Sequence, residues 1–139
     1  MEQIYKEVIV SRSRRPRHRG TVEPSTARQE GVNPSCGDEL VLSLRVVDGV
    51  VEEAAFTGQG CAISRASADL MAEAIEGRSV EEARALSAAF KSLMRGEEPA
   101  MELGELRALE GVRKLHARVK CATLPFTTLD QALGGDAAS

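Results

Sequence analysis

Tryptophan is absent from this 139-residue chain, and only three Phe and one Tyr supply aromatic rings. Base stacking on single-stranded nucleic acid therefore has almost nothing to work with, and a core must come chiefly from Ala, Val and Leu. Net charge is equally sparse, −3 at pH 7, which gives no general attraction to a phosphate backbone. No apolar run approaches the roughly 18 residues of a membrane span, and the N-terminus lacks a signal-peptide core. Cysteines number three, an odd count that argues against a disulfide framework. Free thiols without an export signal fit the reducing cytosol. The expectation is a cytoplasmic protein with no membrane or nucleic-acid partner. With 42% hydrophobic and 28% charged residues it reads as one globular domain.

Within that domain the clearest signal is a hairpin. Leu40 to Val47 and Val50 to Thr57 are β-rich runs separated by Asp48-Gly49, a two-residue turn pair whose positions need φ above zero. Gly58-Gln59-Gly60 ends the second run. From Ile63 the period changes: Ile63, Ala66, Leu70, Ala74 and Ile75 share a helical face closed by Gly77. Ser79 caps a further helix, Val80 to Arg95, with Glu82 completing a capping box. A short helix is expected between Gly104 and Gly111, and a last one over about Ala117 to Leu133. Pro125 favours a start of that helix near Cys121, since proline is tolerated in a first turn.

The N-terminal Ile4 to Val10 reads as a short helix. Ser11 to Gly20 follows, with Arg12, Arg14, Arg15, Arg17, Arg19 and His18 around Pro16. Mutual repulsion of the cations makes this a loop or a frayed helix end. Thr21 to Gly31 has room for one edge strand. The fold class is α+β: a small antiparallel sheet around a hairpin, packed with about five helices. Residues 1–133 form the single domain, and 134–139 a flexible tail.

The three thiols carry the chemistry. Cys36 lies in Asn33-Pro34-Ser35-Cys36-Gly37-Asp38, Cys61 follows Gly58-Gln59-Gly60, and Cys121 follows Arg118-Val119-Lys120. Cys36, Asp38, Cys61 and Cys121 together offer four soft-metal ligands, the number a tetrahedral zinc site takes. Gly37 suits a tight exposed loop. Cys61 opens a helix, where free N–H groups favour thiolate, and Arg118 and Lys120 should lower the pKa of Cys121. The spacing differs from that of a zinc finger: Cys36 and Cys61 are 25 apart, and Cys121 lies 60 further on.

These segments resemble the three cysteine signatures of the NifU N-terminal, IscU and SufU family of iron–sulfur cluster assembly proteins. The resemblance runs from Tyr5 to Leu133 and implies a SufE/NifU-like fold. Lys120 stands where the IscU branch has His, and the long connection including Ser79 to Glu110 is similar to the SufU insertion. The basic loop departs from the Tyr and Asn residues common there. The resemblance implies zinc on Cys36, Asp38, Cys61 and Cys121, with Cys36 accepting persulfide sulfur from a SufS-type cysteine desulfurase. A partner imidazole would replace Cys36 on the metal, and a SufBCD-type complex would lie downstream. The role is that of a sulfurtransferase or carrier; the alternative is a scaffold holding iron as a [2Fe–2S] cluster, because thiolates suit both metals. Lys120, Arg118 and Gly37 would tune the site or touch the partner. Arg14, Arg15 and Arg17 would form a loop docking an acidic patch of that partner.

Overall fold

The computed structural model describes residues 2–134, with side chains from Lys6 onward. Eight elements follow in order: α1 (Glu2–Arg14), β1 (Ala27–Asn33), β2 (Asp38–Val47), β3 (Val50–Gln59), α2 (Ala62–Ile75), α3 (Val80–Met94), a 3-10 segment (Gly104–Lys114) and α4 (His116–Ala132). The strands form one antiparallel sheet in the order β1-β2-β3. This is the α+β architecture read from the sequence. Residues 135–139, most of the expected tail, lie outside the described residues.

The β2–β3 hairpin turns at Asp48 and Gly49, with φ of 52° and 78°, the left-handed pair that suits the twist of the flanking strands. Leu40, Leu42 and Leu44 alternate inward on β2, while Val51, Ala54 and Phe56 face the same side from β3. Val51 and Ala54 can share a face because the register shifts between Arg45 and Val46, where Glu53 and Val51 are the opposed residues. The bulge absorbs one residue and resets the parity of the strand.

Helices α2 and α4 cover that face, and α3 packs against α4 and the 3-10 segment. Phe90 of α3 and Phe126 of α4 stack at the centre, ring centroids 4.2 Å apart and 15° from parallel, and Leu42, Met71, Ile75, Leu86 and Leu129 close around them. Burial of each such side chain stabilises the fold by about 1.5–3 kcal/mol. The scarce aromatics are thus concentrated where a small Ala- and Leu-rich core needs volume. Helix α3 starts as expected, with Ser79 Oγ accepting from Glu82 N–H while the Glu82 carboxylate accepts from Ser79 N–H.

Three expectations need correction. The basic stretch is not wholly a loop: α1 continues through Arg14, and Arg12 is 3% exposed. Its guanidinium donates to Asp69 at 2.9 Å, Glu73 at 2.7 Å and Glu105 at 2.8 Å. Three carboxylates supplied by α2 and the 3-10 segment offset the repulsion that the local sequence implied. The bond to Glu73 is the main reason the Arg12 pKa is raised, and the same bond lowers that of Glu73. Second, the short helix after Gly104 is a 3-10 segment reaching Lys114.

Third, α4 starts at His116, so Cys121 lies in its second turn and Pro125 in its interior. Proline has no N–H to give to the carbonyl four residues back, which is that of Cys121. Side chains repair the neighbouring ladder. Ser67 Oγ donates to the Ala122 carbonyl at 2.6 Å, Thr123 Oγ1 to Val119 at 3.1 Å, and Thr128 Oγ1 to Leu124 at 2.8 Å. Tertiary packing thus carries a helix that local propensity would have begun one turn later.

Candidate metal centre

Cys36 occupies the tip of the β1–β2 hairpin. Asn33 and Asp38 are the last paired residues of these strands, and the Asn33 carbonyl accepts from both Cys36 N–H (3.2 Å) and Gly37 N–H (3.0 Å). Gly37 has φ +72°, a conformation L side chains rarely adopt. The thiol is half-buried, and its Sγ lies 3.8 Å from the Ala117 carbonyl of α4.

Asp38 opens β2 and is 1% exposed. One carboxylate oxygen, Oδ1, accepts the Cys61 N–H at 3.0 Å; the other, Oδ2, is buried with no hydrogen-bond partner. A Cβ at Gly60 would stand 2.6 Å from both Asp38 Oδ1 and Ser64 Oγ, so glycine is needed there for the chain to pass the carboxylate. Cys61 is the N-cap of α2, and its Sγ accepts the Ser64 N–H at 3.4 Å. Cys121 is fully buried, 3.3 Å from Cys36 Sγ, with the Asn33 amide 4.0 Å from its sulfur.

Donor atoms of Cys36, Asp38 and Cys121 lie within 4.8 Å of one another. The Cys61 sulfur is outside that group, turned to its capping contact, although Asp38 ties the Cys61 backbone into the cluster. Burial pushes the Cys121 thiol well above its ordinary pKa, and the neighbouring Asp38, Cys36 and Cys61 side chains add to the effect. This corrects the expectation that Arg118 and Lys120 would lower it. Both cations are exposed while the sulfur is not, so desolvation wins. The Arg118 guanidinium is held above its own ordinary value, chiefly by the Cys121 sulfur.

A buried carboxylate oxygen without a donor is costly unless a cation meets it. Thiols beside that oxygen supply soft donors, and a divalent ion reverses the thiol pKa by holding thiolate directly. The donor set therefore fits a thiolate-binding metal. The sequence named Cys36, Asp38 and Cys121 but not Asn33 as a contact. Asn33 stood in the quoted motif, yet only the hairpin register aims its amide at Cys121.

The arginines proposed for docking lie elsewhere. Arg14, Arg15 and Arg17 are exposed, and Arg17 reaches Glu73 at 3.5 Å. Glu73 is twelve residues along α2 from Cys61, about 18 Å at 1.5 Å per residue. His18 packs at the same end, its N–H donating to Asp69 Oδ1 at 2.7 Å.

An α+β domain that gathers thiols around a buried acid has the donor set of a metal site. Residues 4–122 match the NifU-like N terminal domain family. The zinc-dependent sulfurtransferase SufU of Bacillus subtilis is 38% identical over 135 residues, 96% of this chain and 91% of that protein. The iron–sulfur cluster assembly scaffold protein IscU of Streptococcus pyogenes is 40% identical over 135 residues, 96% and 84% of the two chains. The crystal structure of a candidate iron–sulfur cluster assembly scaffold protein for the SUF system from Fervidobacterium islandicum superposes with a TM-score of 0.89. It is 34% identical, covering 95% of this chain and 98% of that one. The chain belongs to the NifU-like N-terminal domain family, alongside SufU and IscU. No helix among its described residues is long and apolar enough to cross a membrane.

Proposed function

We propose that this chain is a zinc-dependent sulfur acceptor in iron–sulfur cluster assembly, charged by a SufS-type cysteine desulfurase and discharged to a SufBCD-type complex. The observation that carries the reading is the unpartnered Asp38 Oδ2 buried beside two thiols 3.3 Å apart. Cys36, Asp38, Cys61 and Cys121 would hold the ion, Cys61 by turning its sulfur from the Ser64 N–H. Bound zinc would keep the thiols deprotonated and contribute no redox chemistry.

Cys36 is the acceptor. Its thiolate attacks the outer sulfur of the donor's persulfide; a sulfur–sulfur bond forms on Cys36 and the donor leaves as thiolate. The hairpin tip from Pro34 to Gly37 can move without disturbing β1 or β2, whereas Cys121 is locked inside α4. A partner side chain, an imidazole by family resemblance, would take the place of Cys36. The S. pyogenes relative named as a scaffold supports a second reading, a [2Fe–2S] cluster on the same ligands.

Metal analysis separates the two. Protein purified without added iron should hold about one zinc per chain, and mass spectrometry after desulfurase turnover should find the added sulfur on Cys36. A stable cluster absorption spectrum with no zinc would favour the scaffold and overturn the acceptor reading.

A further inference from the structure

An open groove of about 860 Å³ runs between the C-terminal end of α3 and the first turns of α4, volumetrically at the upper end of ligand sites. Arg95, Arg113, Lys114, His116 and Lys120 line it, over an apolar floor that includes Met94 and Val119. In a chain of net charge −3 this is a local concentration of positive charge. Arg95 is neutralised by Glu97 at 3.1 Å and Arg113 by Glu110 at 3.3 Å. Lys114 and Lys120 make no ion pair among the described residues. Leu115, between Lys114 and His116, stands 54% exposed.

The groove adjoins the metal centre. Ala117, whose carbonyl meets Cys36 Sγ, lies between His116 and Val119, and Lys120 directly precedes the buried Cys121. The exposed Arg17, by contrast, sits beside Glu73, about 18 Å along α2 from Cys61.

We propose that this groove receives an extended acidic segment of the desulfurase, with apolar side chains on its floor and carboxylates on Lys114 and Lys120. The inference rests on the acceptor reading above. An open groove suits a polypeptide better than an enclosed small molecule. A second copy of this chain would bring like charge to like charge, which electrostatics disfavours. The cationic rim would also speed encounter and set the partner's register over Cys36.

The test uses the zinc-loaded full chain and the desulfurase. Lys114→Glu/Lys120→Glu should weaken association about tenfold at low salt and flatten its salt dependence. Zinc content should hold. Zero-length lysine–carboxylate cross-linking should join Lys114 or Lys120 to an acidic stretch of the desulfurase. Cross-links through Lys6 of α1 but not the groove lysines, with affinity unchanged in the double variant, would overturn the groove while leaving sulfur transfer to Cys36 intact. Displacement of the desulfurase by a short oligonucleotide at equimolar concentration would reassign the groove to nucleic acid. If the desulfurase neither binds nor charges Cys36, the acceptor reading fails, and the groove assignment with it.

Discussion

Helix α2 carries a buried carboxylate at its C-terminal half and meets another at its N-terminus, and the two are satisfied differently. Asp69, 0% exposed, has both oxygens engaged: Arg12 donates to Oδ2 and the His18 N–H to Oδ1. Asp38, 1% exposed, has one oxygen engaged by the Cys61 N–H and the other without a donor. Two acids with the same burial thus define two kinds of polar cluster. The closed one staples α1 and the 3-10 segment to α2. The open one, bordered by thiols, leaves a coordination position. Satisfaction, more than burial or residue type, separates a structural staple from a binding site.

The largest expected effect tests the open end. Cys36→Ala should reduce desulfurase stimulation at least about hundredfold, because no other thiol lies on a segment free to reach the donor. The protein should remain folded, since the substitution removes a half-buried side chain at a hairpin tip. Asp38→Ala should abolish stoichiometric zinc while costing the metal-free protein under about 1.5 kcal/mol, one lost hydrogen bond partly offset by removing an orphaned oxygen. Persulfide on Cys121 together with turnover by the Cys36→Ala protein would remove the distinction between a moving and a fixed thiol.

At the closed end the loss should appear in stability. Arg12→Met leaves the buried Asp69 without its cation, which should cost about 3–5 kcal/mol in denaturant melts without changing zinc stoichiometry. The same network should weaken in acid. Because Arg12 lowers the folded-state pKa of Glu73 below its ordinary 4.5, its stabilising effect is complete above that value and declines as pH falls through the depressed one. An Arg12→Met protein should show a shallower fall in stability below pH 4.5, a direction readable by chemical denaturation. Identical acid profiles would mean that the network adds nothing.

The sequence revealed the hairpin, the capping box and the cysteine motifs, because each depends on residues close together in the chain. Asp48-Gly49 needs no partner to specify a turn, and Ser79 with Glu82 caps a helix using its own backbone. Arg12 was misread for the complementary reason: Asp69, Glu73 and Glu105 lie 57, 61 and 93 residues away, and nothing local announces them. The last helix was expected from about Ala117, close to its start at His116, but the tolerance of Pro125 in its interior was hidden in the same manner. Ser67, on a different helix, braces the ladder beside Pro125 by donating to the Ala122 carbonyl. At the candidate site the residue types were legible. The capping role of the Cys61 sulfur and the aim of Asn33 emerge only from packing.

The smallest effect concerns the cations that lie outside the closed network. Arg14, Arg15 and Arg17 are exposed, and Arg17 meets Glu73, far enough from Cys61 that direct contact with a partner at the metal requires a broad footprint. Their contribution should be mainly steering, which acts over a Debye length of about 10 Å at 0.1 M salt. Replacing all three with Ser should slow desulfurase association about two- to fivefold at low salt, with little change in dissociation or in transfer at saturation. Stopped-flow association rates at two ionic strengths measure this directly. A rate unchanged at low salt would show that the arginines have no part in docking. A change in dissociation at both salts would instead place them within the contact surface, making the closed end part of the interface as well as a staple.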